Sequence, residues 1–492
     1  MSDDGGRLIV RGGLTAFLGF AIRFFARFLF LVLAGRLFGS ALFGAYSIGL
    51  ALVEIAVIAG GLGTKWLLFP WLDAHDPATG RGHGHVLIDA ALLVTGASVA
   101  IAALAMVAAM VLPLAPNSAA AILWLAPAIV MQALIELLLA ATRWTGIMRA
   151  EVIGKSIIQP YVGVAVALVA WRLGWSETGL LVSYLAGSFA ALAYALWAVR
   201  RALGGLGLRR YRFSAASFVG RRKAMLANSG SDLIEAVFLR ADVAIAGLLL
   251  GEAGAGLYAM AKQFAVVIRQ VRQSFDGMLV PLMARTVSNA GPQEVGLALG
   301  STGRLVLVAQ LPLIILFAIA GTMLLGLAGT GFAAGYAALV ALALAEGLQA
   351  VLGVGDMLFV FRRPGLGMIV TSAASVAGIL LMPPFAAAWG VTGIALAMLG
   401  AALLRALARQ VLLQSRFGTV PSGRLLAAPL AAGTVATSAG LLCVSPIVGG
   451  AVALACYAIL LTGWLRMSGA SLTPQGFGDE MSASSGAKSS EP

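Results

Sequence analysis

Cations stand in this chain where apolar side chains otherwise prevail. Arg23 and Arg27 lie four apart within the apolar stretch 13–35, a spacing that puts both on one face of a helix. Arg23 is deeper in that stretch than an arginine comfortably reaches back to water. Within 255–282, Lys262, Arg269, Arg272 and Asp276 recur at helical spacings beside Gln263, Gln270 and Gln273, a polar stripe on an otherwise apolar helix. The stretch 226–250 adds Asp232, Glu235, Arg240 and Asp242.

Ionisable groups deep in apolar segments are costly and mark pairing or function. A guanidinium stays charged at any relevant pH and grips a phosphate through a planar fork. A cavity lined by Arg23, Arg27, Arg269 and Arg272 therefore suits an anion such as a diphosphate and suits a lipophilic cation poorly. The acids Asp232, Glu235, Asp242 and Asp276 are the candidates for gating or ion coupling, with Asp276 one turn from Arg272. The competing reading of both groups is a structural ion-pair network. Glu54, Glu136 with Gln132, Lys155 with Gln159, and Glu346 with Gln349 read as packing or pairing.

The elements that hold these residues follow from composition. Of 492 residues, 60% are hydrophobic and 11% charged, with a mean hydropathy of +0.97. A soluble chain carries about 25% charged residues. A spanning helix needs about 20 mainly apolar residues. Fourteen stretches qualify, near 13–35, 43–63, 86–113, 119–140, 152–171, 177–199, 226–250, 255–282, 303–327, 334–354, 366–387, 391–412, 425–445 and 447–466. The fold class expected is an all-α polytopic membrane bundle.

The net charge of +13 would suggest nucleic acid in a soluble protein, but its placement reads as topology. Arg200, Arg201, Arg209, Arg210, Arg212, Arg221, Arg222 and Lys223 follow the sixth stretch. Lys65, Arg81, Arg143, Arg149, Arg285, Arg362, Arg363, Arg416 and Arg424 follow other even-numbered ones, with Arg36 and Arg172 the exceptions. By the positive-inside rule both termini are cytoplasmic in a multi-pass inner-membrane protein. The first residues, with Asp3 and Asp4, do not make a cleavable signal. The Ser-, Gly- and Ala-rich tail reads as a disordered cytoplasmic segment. His75, His83 and His85, near Asp73 and Asp76, match no zinc spacing and read as a solvated loop. Cys443 and Cys456 sit in apolar runs, and no phosphate-cradling Gly-rich loop of an ATPase is present. No metal or cofactor is expected.

Residues 34–47, AGRLFGSALFGAYS, and 246–259, AGLLLGEAGAGLYA, share Ala, Gly, Leu, Gly, Ala, Gly and Tyr at a constant offset of 212. Six stretches separate the copies, so the repeat is parallel, and a substrate site between two lobes follows. The domains expected are lobes 1–199 and 226–413, a basic linker 200–225, two further helices in 425–466 and the tail 467–492. The same offset carries Arg23 onto Glu235, which makes those two a candidate gate pair.

The runs AGRLFGSALFGAYSIG at 34–49, LRADVAIAGLLLGEAGAGLYAMAKQF at 239–264 and FDGMLVPLMAR at 275–285 resemble the polysaccharide transporter family, which includes O-antigen and exopolysaccharide flippases. It belongs to the multidrug/oligosaccharidyl-lipid/polysaccharide superfamily. The resemblance covers the twelve-helix core and implies two six-helix lobes, a central cavity and alternating access. It also implies cavity arginines in the first, seventh or eighth helices, where Arg23, Arg27, Arg240, Arg269 and Arg272 stand. The unusually polar 255–282 stretch departs from the family pattern. The function implied is translocation of a polyprenyl-diphosphate-linked oligosaccharide for O-antigen or exopolysaccharide synthesis, with membrane lipids and polysaccharide polymerase machinery as further partners. The alternative is a cation-coupled multidrug exporter, which would want a carboxylate on the cavity face of the first helix. An enzyme is disfavoured, because the outward loops are short and hold no acid/base or nucleophile constellation.

Overall fold

A computed structural model describes residues 3–73, 82–205, 211, 222–289, 291–419 and 423–468. The side chains of 3–24, Asp276 and scattered neighbours lie outside what is described. Most of the basic linker and the tail from 469 onward, His75 and Asp76 also lie outside it. Helix is the only regular secondary structure among the described residues.

Among these residues nine helices are long and apolar enough to cross a membrane. That number differs from fourteen partly because some expected stretches join end to end. Asp3–Gly61 contains 13–35 and all but the last two residues of 43–63 and breaks at Gly39, with φ 77° and ψ 175°. Arg222–Asn289 contains 226–250 and 255–282 and breaks at Gly251, with φ 72° and ψ −179°. Pro364–Phe417 joins 366–387 to 391–412 and breaks at Gly390, with φ 56°. All three glycines occupy the left-handed region that a side chain disfavours, and each lies in a gap between expected spans. The run near 425–445 is a shorter apolar helix, Leu425–Leu441.

Gly39 and Gly251 stand 212 apart, at equivalent places in the repeat, and share one backbone geometry. A second pair of repeat equivalents makes the helices touch. A methyl on Gly44 would strike the Glu252 carbonyl oxygen, and one on Gly256 would strike that of Ser40. Small residues permit this close approach where lipid offers no hydrophobic drive for association. The contact is reciprocal, so an approximate two-fold axis passes between the two glycines. Tyr46 and Tyr258 extend the relation: Tyr46 packs on Phe30 at 6.0 Å, whereas Tyr258 donates to Asp242 Oδ2 at 2.7 Å.

The chain forms two compact units, Met1–Ala259 and Met260–Pro492. In the first, Leu68, Trp71 and Leu72 of Thr64–Asp73 pack with Leu87, Ala90 and Val94 of His83–Val111. Ile135 and Leu137 to Ala141 of Pro116–Trp144 and Ala191, Ala195 and Val199 of Gly179–Ala202 complete that core. The segment 222–259, which carries the second repeat copy, belongs to this unit. His83 and His85 open a helix instead of lying in a solvated loop. His85 is buried against the Tyr211 ring, and Tyr211 donates to the buried Asp89 at 2.6 Å.

The second unit is built on Pro292–Leu327, whose Val306, Leu307, Leu311 and Ile315 meet Ala350, Val351, Leu358 and Leu413. Arg424–Leu441 and Pro446–Ser468 pack on the same helix through Ala436, Ala453 and Tyr457. Arg304, 1% exposed, lies there with its guanidinium 5.8 Å from the Trp464 ring centroid.

A Gly256→Ala substitution is expected to destabilise by about 1–3 kcal/mol through overpacking and to lower the Tm in detergent. Gly96→Ala, whose added methyl meets nothing within 4 Å, is the control and should leave the Tm unchanged or raised.

Candidate functional site

The first unit holds a partly open cavity of about 480 Å³. Its wall combines Leu50, Val57, Ile58 and Leu137 with six charged residues, Glu54, Lys65, Glu136, Lys155, Asp232 and Arg240. These charges form three pairs. Arg240 Nε meets Glu54 at 2.6 Å, Lys155 Nζ meets Glu136 at 2.7 Å, and Lys65 Nζ meets Asp232 at 3.0 Å. Charge in an apolar medium demands such a counter-charge. The wall is thus charge-balanced, three cations against three carboxylates.

Two of the pairs tie Arg222–Asn289 to the first lobe. Asp232 reaches Thr64–Asp73, and Arg240, two turns further, reaches Glu54 on the Gly61-terminated helix. A third tie lies at the far end of the same segment, beside the Gly251 break. Glu252 accepts from Ser118 N at 2.7 Å, Ser118 Oγ at 2.9 Å and Asn117 Nδ2 at 2.8 Å, which caps the Pro116–Trp144 helix with a carboxylate where its N–H groups are exposed. These contacts give a physical reason for 222–259 folding with the first unit.

Behind the Arg240–Glu54 pair, Tyr46 and Tyr184 stack edge-on with centroids 6.2 Å apart. Tyr184 lines the cavity with Glu54, Gln132 and Arg240, and the charges of Glu54 and Arg27 are felt at Tyr46. Arg27, half-buried, therefore belongs to the same polar neighbourhood. Gln132 in turn donates to Ser188 Oγ at 2.9 Å. Lys155 sits on a π-helical turn, Val152–Ile158, a wide turn that is frequent at functional sites.

Of the residues singled out by sequence, Arg240 and Asp232 line this cavity and Arg27 stands near it. Glu235 is exposed. Arg23 and Asp276 have side chains outside the described set, so the Arg23–Glu235 and Arg272–Asp276 pairs lie outside it too. Asp242 is 1% exposed and accepts from the Tyr258 hydroxyl at 2.7 Å and from Val243 N at 2.9 Å, a position that ties its own helix together.

In the second unit, Arg269 donates to Glu346 at 2.9 Å, and Arg272 is half-buried on the same helix. Arg405 donates to Gln349 Oε1 at 3.0 Å and Ser375 Oγ at 2.9 Å. Arg409 holds both oxygens of Asp356, at 2.6 and 2.7 Å. Sequence reasoning passed over Arg405 and Arg409, although they stand four apart in an apolar stretch, the same signal that singled out Arg23 and Arg27. Among the described residues no group of His, Cys, Asp and Glu is arranged to hold a metal ion.

No family model matches this sequence, and no curated protein matches it. The fold does have solved counterparts. A structure of the lipid II flippase MurJ in an inward closed conformation aligns with a TM-score of 0.74 at 13% identity, covering 92% of this chain and 99% of that one. An inward-facing multidrug resistance MATE family transporter of the MOP superfamily aligns at 0.66 with 12% identity, over 81% of this chain and 94% of that one. A Vibrio cholerae MATE transporter aligns at 0.52 with 15% identity, over 80% and 95%. At such identities the shared property is the fold, which is that of an all-helical, multi-pass membrane protein.

The two kinds of arginine should respond differently to removal. Arg409, whose side chain is 3% exposed beside an Asp356 that is 45% exposed, should cost about 1–2 kcal/mol as Arg409→Met, because Asp356 loses both donors but keeps its contact with water. Arg240 and Glu54 are 35% and 36% exposed, so solvent screening limits Arg240→Met to about 1 kcal/mol or less. Thermal unfolding of the purified variants checks the contrast.

Proposed function

We propose that this protein is a flippase that moves a polyprenyl-diphosphate-linked oligosaccharide across the cytoplasmic membrane by alternating access. The observation that carries the reading is the fold shared with the lipid II flippase over 92% of the chain, which in this protein accompanies a charged cavity with Arg240 in its wall. In this proposal the chain has fourteen spans in two six-helix lobes plus two C-terminal helices, with both termini in the cytoplasm. Arg23, Arg27, Arg240, Arg269 and Arg272 bind the diphosphate, and Asp232, Glu235, Asp242 and Asp276 serve gating or coupling. The substrate belongs to O-antigen or exopolysaccharide synthesis.

Each step asks only for binding and relocation. Arginine forks take the diphosphate, whose charge otherwise forbids entry into the bilayer. The sugar crosses through the polar cavity while the prenyl tail stays in lipid. Carboxylates such as Glu54 re-pair with the arginines after release, which keeps the empty carrier neutral.

A second reading has a specific observation in its favour. Glu54, Glu136 and Asp232 place carboxylates in the cavity wall, and a wall so balanced also suits a cation exchanged against protons or sodium, as in a multidrug exporter.

Headgroup translocation in proteoliposomes tests both. The native chain should move a polyprenyl-diphosphate oligosaccharide, and Arg23→Ala, Arg240→Ala and Arg269→Ala should each lower the rate at least about tenfold, the loss of one charged hydrogen bond. Efflux of a cationic dye without lipid translocation would select the exporter.

A further inference from the structure

We propose that Lys155 is a binding residue for the diphosphate of the lipid headgroup, presented by the π-turn and masked by Glu136 until the ligand arrives. The inference rests on the reading that the ligand carries a diphosphate. It concerns a cation that sequence reasoning set aside as packing.

The three cation–carboxylate pairs in the cavity are not equivalent. Lys65–Asp232 and Arg240–Glu54 join Arg222–Asn289 to the first lobe, so breaking them loosens the attachment of that segment. Lys155–Glu136 lies wholly within the first lobe, and opening it releases no segment. It is the pair a ligand can exchange without dismantling the wall.

Local construction points the same way. Val152–Ile158 is π-helical, closed at its end by the Gln159 N–H on the Gly154 carbonyl. Gly154 lies under the Tyr194 ring, where an added methyl would stand 3.3 Å from Cδ1, and Ser156 is fully buried. The turn is thus clamped on both sides of Lys155, whose side chain is only 23% exposed. Lys155 Nζ meets Glu136 at 2.7 Å in the cavity wall and Glu151 at 3.3 Å. Glu151, outside the lining set, is also shared with Arg143 at 3.4 Å. Glu151 therefore anchors the ammonium from behind while Glu136 covers it from the cavity side. Glu136, at 40% exposure, is the freer of the pair. An ammonium has three donors, and the structure uses two on these carboxylates.

Exchange follows from charge. A diphosphate oxygen that meets Lys155 replaces Glu136 as the counter-charge, and Glu136 turns into the watered cavity. Arg240 offers a fork to the same headgroup, and Lys155 adds a compact, rotatable charge.

The test uses the full-length chain in detergent, titrated with farnesyl diphosphate and, separately, inorganic pyrophosphate. Glu136→Gln removes the mask and should tighten farnesyl diphosphate binding, whereas Lys155→Met should weaken it about ten- to hundredfold. Lys155→Arg should restore most of the loss. Opposite signs for Glu136→Gln and Lys155→Met support the proposal, because a merely structural pair would lose binding in both. Equal losses in both, or no change in either while Arg240→Ala abolishes binding, overturn the Lys155 site and leave the flippase reading intact. Absence of farnesyl diphosphate binding to the native chain overturns both. Pyrophosphate binding as tight as farnesyl diphosphate would identify a soluble anion and overturn the lipid assignment.

Discussion

A charge carried into an apolar medium costs several kcal/mol unless a counter-charge and hydrogen bonds meet it. That requirement decides where the polar residues of this chain go. Arg240 finds Glu54, Lys65 finds Asp232, Lys155 finds Glu136, Arg269 finds Glu346 and Arg409 finds Asp356. The partners are mostly distant in sequence, so each pair also fixes which helices lie together. A chain this apolar has few other directional interactions with which to choose among packings, since one lipid-facing Leu is much like another.

Close helix contact is the second device, and it depends on glycine. Gly44 and Gly256 let two backbones approach to where any side chain would collide with a carbonyl, and Gly39 and Gly251 break their helices with the same left-handed turn. These four residues are repeat equivalents. Duplication therefore supplied a self-complementary crossing, as in a symmetric dimer, where one patch meets its own copy. The equivalent positions differ within that frame: Phe30 stands beside Tyr46 in one copy and Asp242 beside Tyr258 in the other. The two crossings share their glycine geometry, while only the second copy carries a buried carboxylate at this position.

Charge balance in the first unit bears directly on the proposed function. A permanently cationic wall would hold an anion but would also carry uncompensated charge when empty. Carboxylates that pair with the cations in the empty cavity remove that cost and set a threshold that only a strong anion passes. Under the proposed function, a more highly charged ligand displaces an internal carboxylate more completely, which would favour a diphosphate over a weaker anion. Rigid pairs such as Arg409–Asp356, two hydrogen bonds on one nearly buried guanidinium, belong instead to the scaffold.

How much of this was legible beforehand depends on the range of the interaction. Apolar stretches of spanning length, the 212-residue offset and the cations at Arg27, Arg240 and Arg269 were readable, because helix periodicity and membrane thickness act on local sequence. Lys65 was assigned to topology and Lys155, inside the stretch 152–171, to packing or pairing, since a lone lysine carries no sign of which carboxylate it will meet. Arg405 and Arg409 had a readable spacing and were passed over. The π-turn at Val152–Ile158 had no sequence signal strong enough to place it. The sequence by itself determined the helical, membrane-spanning character and the duplication, both consequences of local composition. The partner of each charge, and so the balanced cavity, was decided only by tertiary structure, because a counter-ion is chosen by proximity in space and not by distance along the chain.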